Sequence, residues 1–320
     1  MKSFMYHYIR EGDEAYPWFR YLHIEDFKKQ VSYFKHHYNF ISKSEFFNSI
    51  EQKEPVEDAA ILTFDDGLID HFEAAEYLAA EGLWGIFYIP TGPYQTQKLL
   101  DVHRIHVLIG KYGGQEILLT LEKTLRESYI QNEYVDKFEK VTYARQDNDA
   151  ATKQVKQILN YFLDYQQKDD VLDVLMQKYF PDEALLCKDF YLSPTQIKSM
   201  NNMGMVIGAH SVTHPVFSRL DYATQNNEIM NCFKLLDDFV PSNSIKTFCY
   251  PYGGDHSFNE DTLMILEKEN VDFSFSVEQR DINAHDLIHK KQALPRYDCN
   301  QFPFGQASMG LKRAEMMANS

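Results

Sequence analysis

Six residues without a single charge, Ala59-Ala60-Ile61-Leu62-Thr63-Phe64, run straight into Asp65-Asp66-Gly67. A short, nearly continuous apolar run of this kind reads as a buried strand. Carboxylates at the end of a buried strand are costly unless something pairs with them. The C-terminal ends of strands are also where α/β proteins build their sites. A solvated Asp-Asp-Gly turn would explain the triplet taken alone. It is weighed against a second run, Met205 to Ala209, which delivers His210-Ser211-Val212-Thr213-His214 and two imidazoles.

The rest of the chain supplies a βα rhythm around these stretches. Residues 3–9 alternate apolar and polar and predict a first strand with His7 near its end. Ile24, Phe27, Val31 and Phe34 predict a helix over 24–37. Ser42 with Glu45 forms a capping box for a helix over 43–51. After Gly67, Phe72, Ala75, Ala79 and Leu83 predict a helix closed by Gly82, with His71 as part of it. Strands follow at Trp84 to Ile89, Met205 to Ala209, Lys246 to Tyr250 and Val271 to Val277. Helices are predicted from Ser193-Pro194, over 221–239 and over Asn259 to Lys268. Leu294-Pro295-Arg296-Tyr297 closes the core. Repeated βα units predict a parallel barrel, closed or nearly so. Residues 94–190 break the rhythm, being charged, poor in glycine and helical in pattern. They are read as a helical insertion, a candidate cover for the cleft or association element, in a single barrel made of 1–93 and 191–320.

Composition excludes several classes. The net charge of -15, with no basic block, argues against a nucleic-acid partner. No apolar run is long enough to span a membrane, and the N-terminus lacks the apolar core of a signal peptide. The four cysteines are scattered without a CxxC pair, which argues against a zinc ribbon and a disulfide framework. The expectation is a cytoplasmic protein with reduced thiols.

His210 and His214 lie four apart, and Pro215 disfavours helix at His214, so the pair is placed in a tight loop leaving a strand. Either geometry lets both imidazoles reach one metal. HxxxH alone is weak, two solvent-facing histidines being the commoner cause. Two imidazoles with one carboxylate would leave positions open for water and substrate, which is the catalytic arrangement.

Thr63-Phe64-Asp65-Asp66-Gly67, His210-Ser211-Val212-Thr213-His214 and Tyr250-Pro251-Tyr252-Gly253 resemble, in order, the first three motifs of the polysaccharide deacetylase (NodB-homology) family. The resemblance implies an α/β fold, a distorted (β/α) barrel, with a divalent metal, usually zinc, at the strand C-terminal ends. It implies hydrolysis of N-acetyl groups on sugars, or of acetyl esters and other amides in some members. On this sequence it implies Asp66, His210 and His214 as metal ligands and Asp65 as the general base. It implies the backbone N–H of Tyr252 as an oxyanion donor.

Two histidines are candidates for the acid that protonates the leaving amine. Leu287-Ile288-His289 matches the C-terminal Leu-x-His of many members. Met5-Tyr6-His7 resembles a permuted branch whose acid is an N-terminal strand histidine, and Leu294-Pro295-Arg296 resembles the same branch; His7 is preferred. The third motif lacks its usual arginine, and Arg296 is expected to replace it against Asp65. The family's tryptophan near the acetyl methyl has no clear counterpart. Cys249 is expected to be a buried hydrophobe.

The expected activity is removal of an N-acyl group from a sugar or glycan precursor in surface polysaccharide biosynthesis. The other readings are an esterase or non-sugar amidase on the same metal site, and an inactive glycan-binding barrel. Retention of Asp65, which is no ligand in this scheme, argues against the last.

Overall fold

The computed structural model describes residues 1–126, 129–143, 146, 148–241 and 245–310. Its main sheet is built from β1 (Lys2–Tyr6), β2 (Asn39–Phe40), β3 (Ala59–Phe64), β4 (Gly85–Ile89), β5 (Val206–Ala209), β6 (Thr247–Cys249), β7 (Phe273–Phe275) and β8 (Tyr297–Asp298). The order is β8-β1-β3-β4-β5-β6-β7, with β2 beside the start of β3. Every pairing is parallel. Residues 294–298 join the two edges. Leu294 donates its N–H to Ser274 and accepts from Ser276 beside β7, and Tyr297 pairs with Phe4 of β1. The sheet is therefore a distorted (β/α) barrel, as the repeated βα pattern predicts.

Strand periodicity decides what faces inward. Ala59 and Ile61 of β3 pack with Ile86, Tyr88, Cys249, Phe273, Phe275 and Leu294 in one buried cluster. Ala60, Leu62 and Phe64 pack with Phe87, Ile89, Ile207 and Phe248 in another, against the helices. Thr63 and Asp65 keep the phase of Ala59 and Ile61, so the Asp65 side chain is aimed into the interior. The outer cluster is strongly aromatic: Phe4 stacks on Phe34 at 3.9 Å and Phe64 on Phe87 at 4.3 Å.

Helices form where caps and apolar spacing agree. Ile24–His37 buries Ile24, Phe27, Val31 and Phe34. Lys43–Gln52 starts at the Ser42–Glu45 capping box, and Pro194–Asn202 at a box between Ser193 and Gln196. Tyr222–Phe239 is capped by Asp221, and Glu260–Lys268 by Asn259.

Three elements differ from expectation by more than one residue at an end. The first strand stops at Tyr6, and the chain resumes extended pairing only at Ile9–Arg10, with Leu22 and His23. The last ladder bond of β1 runs from the Asp65 N–H to the Tyr6 carbonyl, while the His7 carbonyl turns to a side chain, His71 Nε2, at 2.8 Å. The helix after Gly67 is His71–Ala80 and excludes Leu83, whose N–H caps back onto Leu78. The strand expected over 271–277 is only Phe273–Phe275, because Val271 is tied to the preceding helix through Leu266.

The chain divides into two compact units: Met1–Glu11 with Tyr21–Thr96 and Asp189–Ala307, and Gly12–Arg20 with Gln97–Lys188 and the described residues from Ser308. The second is helical, with Asp101–Tyr112, Gly114–Thr124, Ala150–Gln157 and Tyr165–Tyr179. One of its buried cations, Arg104, is held by Glu183 at 2.7 Å and Asp173 at 2.9 Å, which is how such a charge is tolerated inside. Among the described residues no helix is long and apolar enough to cross a membrane.

Candidate active site

Three loops at the C-terminal ends of β3, β5 and β6 carry the site. Each departs from ordinary backbone at a residue of the candidate site. Asp66 (φ 82°), His214 (φ 59°) and Tyr252 (φ 64°) all adopt left-handed conformations. Such conformations cost non-glycine residues of order 1–3 kcal/mol and gather at functional sites. At Asp66 the consequence is geometric. The turn breaks strand alternation, so two consecutive carboxylates both serve the end of the barrel.

Asp66 Oδ1 lies 3.3 Å from His210 Nε2 and 3.5 Å from His214 Nε2. All three side chains are buried, and one ligand atom from each lies within 4.8 Å of the others. His210 donates its Nδ1–H to the Cys249 carbonyl at 2.8 Å, which turns Nε2 toward Asp66. That second bond is the usual way a ligating imidazole is oriented. Burial pushes the His210 pKa down, yet Cys249 and the Asp66 and Asp65 carboxylates carry it well above the ordinary histidine value. The cluster thus demands positive charge, and a divalent cation would meet that demand. One carboxylate oxygen and two imidazole nitrogens form a set that suits zinc and leaves positions open.

The His210–His214 loop is held from both sides. Thr91 and Gly92 donate N–H bonds to the Ser211 and Val212 carbonyls at 3.1 and 2.8 Å. A Cβ on Gly92 would lie 2.6 Å from the Val212 oxygen, so no side chain fits there. On the other side Glu228, from helix Tyr222–Phe239, accepts the Val212 and Thr213 N–H groups and the Thr213 hydroxyl at 2.8–2.9 Å. Glu228→Ala would leave those donors without their acceptor. We expect metal affinity to fall about 10–100-fold, the usual effect of removing support behind a ligand. Equilibrium dialysis against zinc measures it, and unchanged affinity would refute the role.

Asp65 stands beside this triad in a different environment. Arg296 grips it with two bonds of 2.8 Å, Nη1 to Oδ1 and Nη2 to Oδ2. The guanidinium is fully buried and also donates to Thr63 Oγ1, the Ser276 carbonyl and Cys249 Sγ. Burial pushes the Asp65 carboxyl up, but the Arg296 charge and bonds outweigh it and hold the pKa at about 2. The expected Arg296–Asp65 pairing is present. Cys249 is buried as expected and in addition packs its sulfur on this pair.

His7 Nε2 lies 4.0 Å from Asp65 Oδ2, with 43% of its side chain exposed. His289 instead ends the surface helix Ala284–His289 and sits exposed, its ring 4.9 Å from His285. The Tyr252 ring is 5.0 Å from that of His214. Of the two tryptophans, Trp84 packs on Phe46 and Phe47 and bonds the Ile41 carbonyl. Two contributors were not legible as site residues. Glu228 is one acid among many on a helix, and His71 looks like any helical residue. Only the position of His71 at the helix start, four residues past Gly67, could have pointed to it.

Residues 146–287 match the polysaccharide deacetylase family model. That stretch contains His210, His214 and Tyr252 but not His7, Asp65, Asp66 or Arg296. No curated protein matches the chain. Among solved structures, the Streptococcus pyogenes deacetylase PplD in complex with acetate aligns with a TM-score of 0.56 at 17% identity, covering 93% of this chain and 91% of that one. IcaB from Ammonifex degensii aligns at 0.52 and 13% identity, covering 93% and 90%. A de-N-acetylase from Aggregatibacter actinomycetemcomitans aligns at 0.51 and 12% identity, covering 98% of both chains. The resemblance to polysaccharide deacetylases, and the barrel it implies, are borne out.

Proposed function

We propose that this chain, a barrel of the polysaccharide deacetylase type, is a metal-dependent hydrolase that removes an N-acyl group, acetyl foremost, from a sugar or glycan precursor. The observation that carries the reading is the separation of roles between adjacent acids. Asp66 faces two imidazoles, while Asp65 faces an arginine and a half-exposed histidine. Metal binding alone needs only the first set. The similarity to a deacetylase solved with acetate, and to a de-N-acetylase, supports the same chemistry.

Asp66, His210 and His214 would hold the ion, with zinc the best match to the donor set. A divalent ion there would polarise the acyl carbonyl and acidify the attacking water. Asp65, kept ionised by Arg296, accepts the proton of that water. With a pKa of about 2 it would be a weak base, suited to a water that a bound ion had acidified. The Tyr252 N–H stabilises the developing oxyanion. His7 protonates the leaving amine, and its exposure gives it access to substrate. The permuted-branch assignment of His7, Tyr252 as oxyanion donor and a cytoplasmic place in surface polysaccharide biosynthesis are parts of this proposal. Association through the helical segment is another.

Acyl release tests it. The zinc-loaded protein is incubated with N-acetylated and O-acetylated nucleotide sugars and short glycans, and free acetate is followed by NMR. Release from N-acetyl substrates, lost in Asp65→Asn, is expected. Ester turnover exceeding amide turnover would favour an esterase, and no release from any substrate would overturn the reading.

A further inference from the structure

The segment that carries His7 is fastened to the segment that carries Asp65 at three successive points. The Asp65 N–H donates to the Tyr6 carbonyl at 2.9 Å. His71 Nε2–H donates to the His7 carbonyl at 2.8 Å. Arg10 donates through Nε to Asp70 at 2.7 Å, one residue before His71. The middle contact acts on His7 itself, at the place where β1 has ended and the carbonyl has left the ladder. A carbonyl leaving a ladder needs a new donor.

His71 is suited to nothing else on view. It is fully buried, with its ring against Phe64 and Phe87 at 5.6 and 5.9 Å. Burial lowers its pKa to about 4, so at neutral pH it is a neutral imidazole. Its Nδ1 is buried and makes no hydrogen bond among the described residues, where Nε2–H to the His7 carbonyl is the one hydrogen bond of the ring. An imidazole this far inside an aromatic cluster, with one nitrogen unsatisfied, is a costly way to fill space.

We propose that His71 is a positioning residue for the acid–base pair: by holding the His7 carbonyl it fixes the His7 imidazole beside Asp65. The inference rests on the proposed role of His7 as the acid. A displaced His7 leaves the metal ligands and Asp65 in place and fails only to protonate the leaving group. The loss therefore depends on the leaving group. An amine requires a proton to depart, whereas an activated aryl oxide departs without one.

The test compares an N-acetylated glycan with an aryl acetate on the zinc-loaded full chain. In His71→Phe, kcat for the amide is expected to fall about 10–100-fold with KM within about twofold, while aryl acetate turnover stays within about threefold. His71→Gln, whose amide nitrogen reaches the Nε2 position, is expected to restore the amide reaction to within about threefold. His71→Asn, which keeps a polar group but stops short, is expected to behave as His71→Phe, and it decides the matter where the Phe variant does not fold. Equal loss on both substrates, or no loss on the amide in the Asn variant, would overturn the proposal. His7→Ala runs in parallel. If it lacks the amide-selective loss, the acid assignment itself fails. If it shows that loss and the His71 variants do not, only the positioning role fails.

Discussion

Arg296→Met is expected to cost about 3–5 kcal/mol of stability and to lower turnover by about 10²–10⁴-fold. Both effects come from one geometry. Arg296 and Asp65 are 0% and 2% exposed, so neither charge is screened by water. Removing the cation leaves an uncompensated carboxylate at the barrel centre. The pairing that holds Asp65 at about 2 is lost, burial then drives the carboxyl upward, and the protonated acid cannot accept a proton. Asp65→Asn breaks the pair from the other side and strands the guanidinium. The double variant Asp65→Leu/Arg296→Met separates the two consequences. Replacing both partners of a buried pair with apolar residues is often neutral for stability. Its urea midpoint is expected to return toward that of the unmodified protein while acyl release remains absent. A double variant as unstable as the singles would mean that the bonds to Thr63, Ser276 and Cys249, not the ion pair, hold this region together.

Asp66→Ala is expected to abolish stoichiometric zinc binding and to reduce turnover at least about a thousandfold. That is the kinetic equivalent of losing the several kcal/mol that a polarising ion supplies. In contrast to Arg296→Met, folding should be little harmed, because the two imidazoles left behind can be neutral. Metal content by elemental analysis after gel filtration gives the readout. Retention of one zinc per chain in this variant would remove Asp66 from the ligand set. The contrast with Glu228→Ala is part of the prediction: support for the loop costs affinity by a factor, a ligand costs the site.

The sequence carried the barrel well because its evidence is local. The uninterrupted run of β3, the boxes at Ser42 and Ser193 and the caps at Asp221 and Asn259 each declare an element within a few residues. The candidate metal triad of Asp66, His210 and His214 is brought together for a related reason, since it sits in short loops directly after strands. Pairing of Asp65 with Arg296, 231 residues apart, could be expected only through the family resemblance. In the folded chain it follows from the inward phase of β3 and the closure of the barrel by residues 294–298. Boundaries were missed where a backbone group found a partner outside its strand, a distant side chain in one case and the end of the preceding helix in the other. His7 looks like strand until His71 takes its carbonyl, and Val271 looks like strand until Leu266 takes its N–H. Glu228 and His71 act on backbone atoms of distant loops, and no residue pattern announces that.

The most direct measurement is a zinc titration of the chelated protein, read as acetate released from an N-acetylated sugar. Turnover should be absent without metal and should rise in proportion to added zinc until one equivalent per chain, then stay level. Acetate release that persists at full rate after chelation, with no metal left on the protein, would contradict the account at its centre.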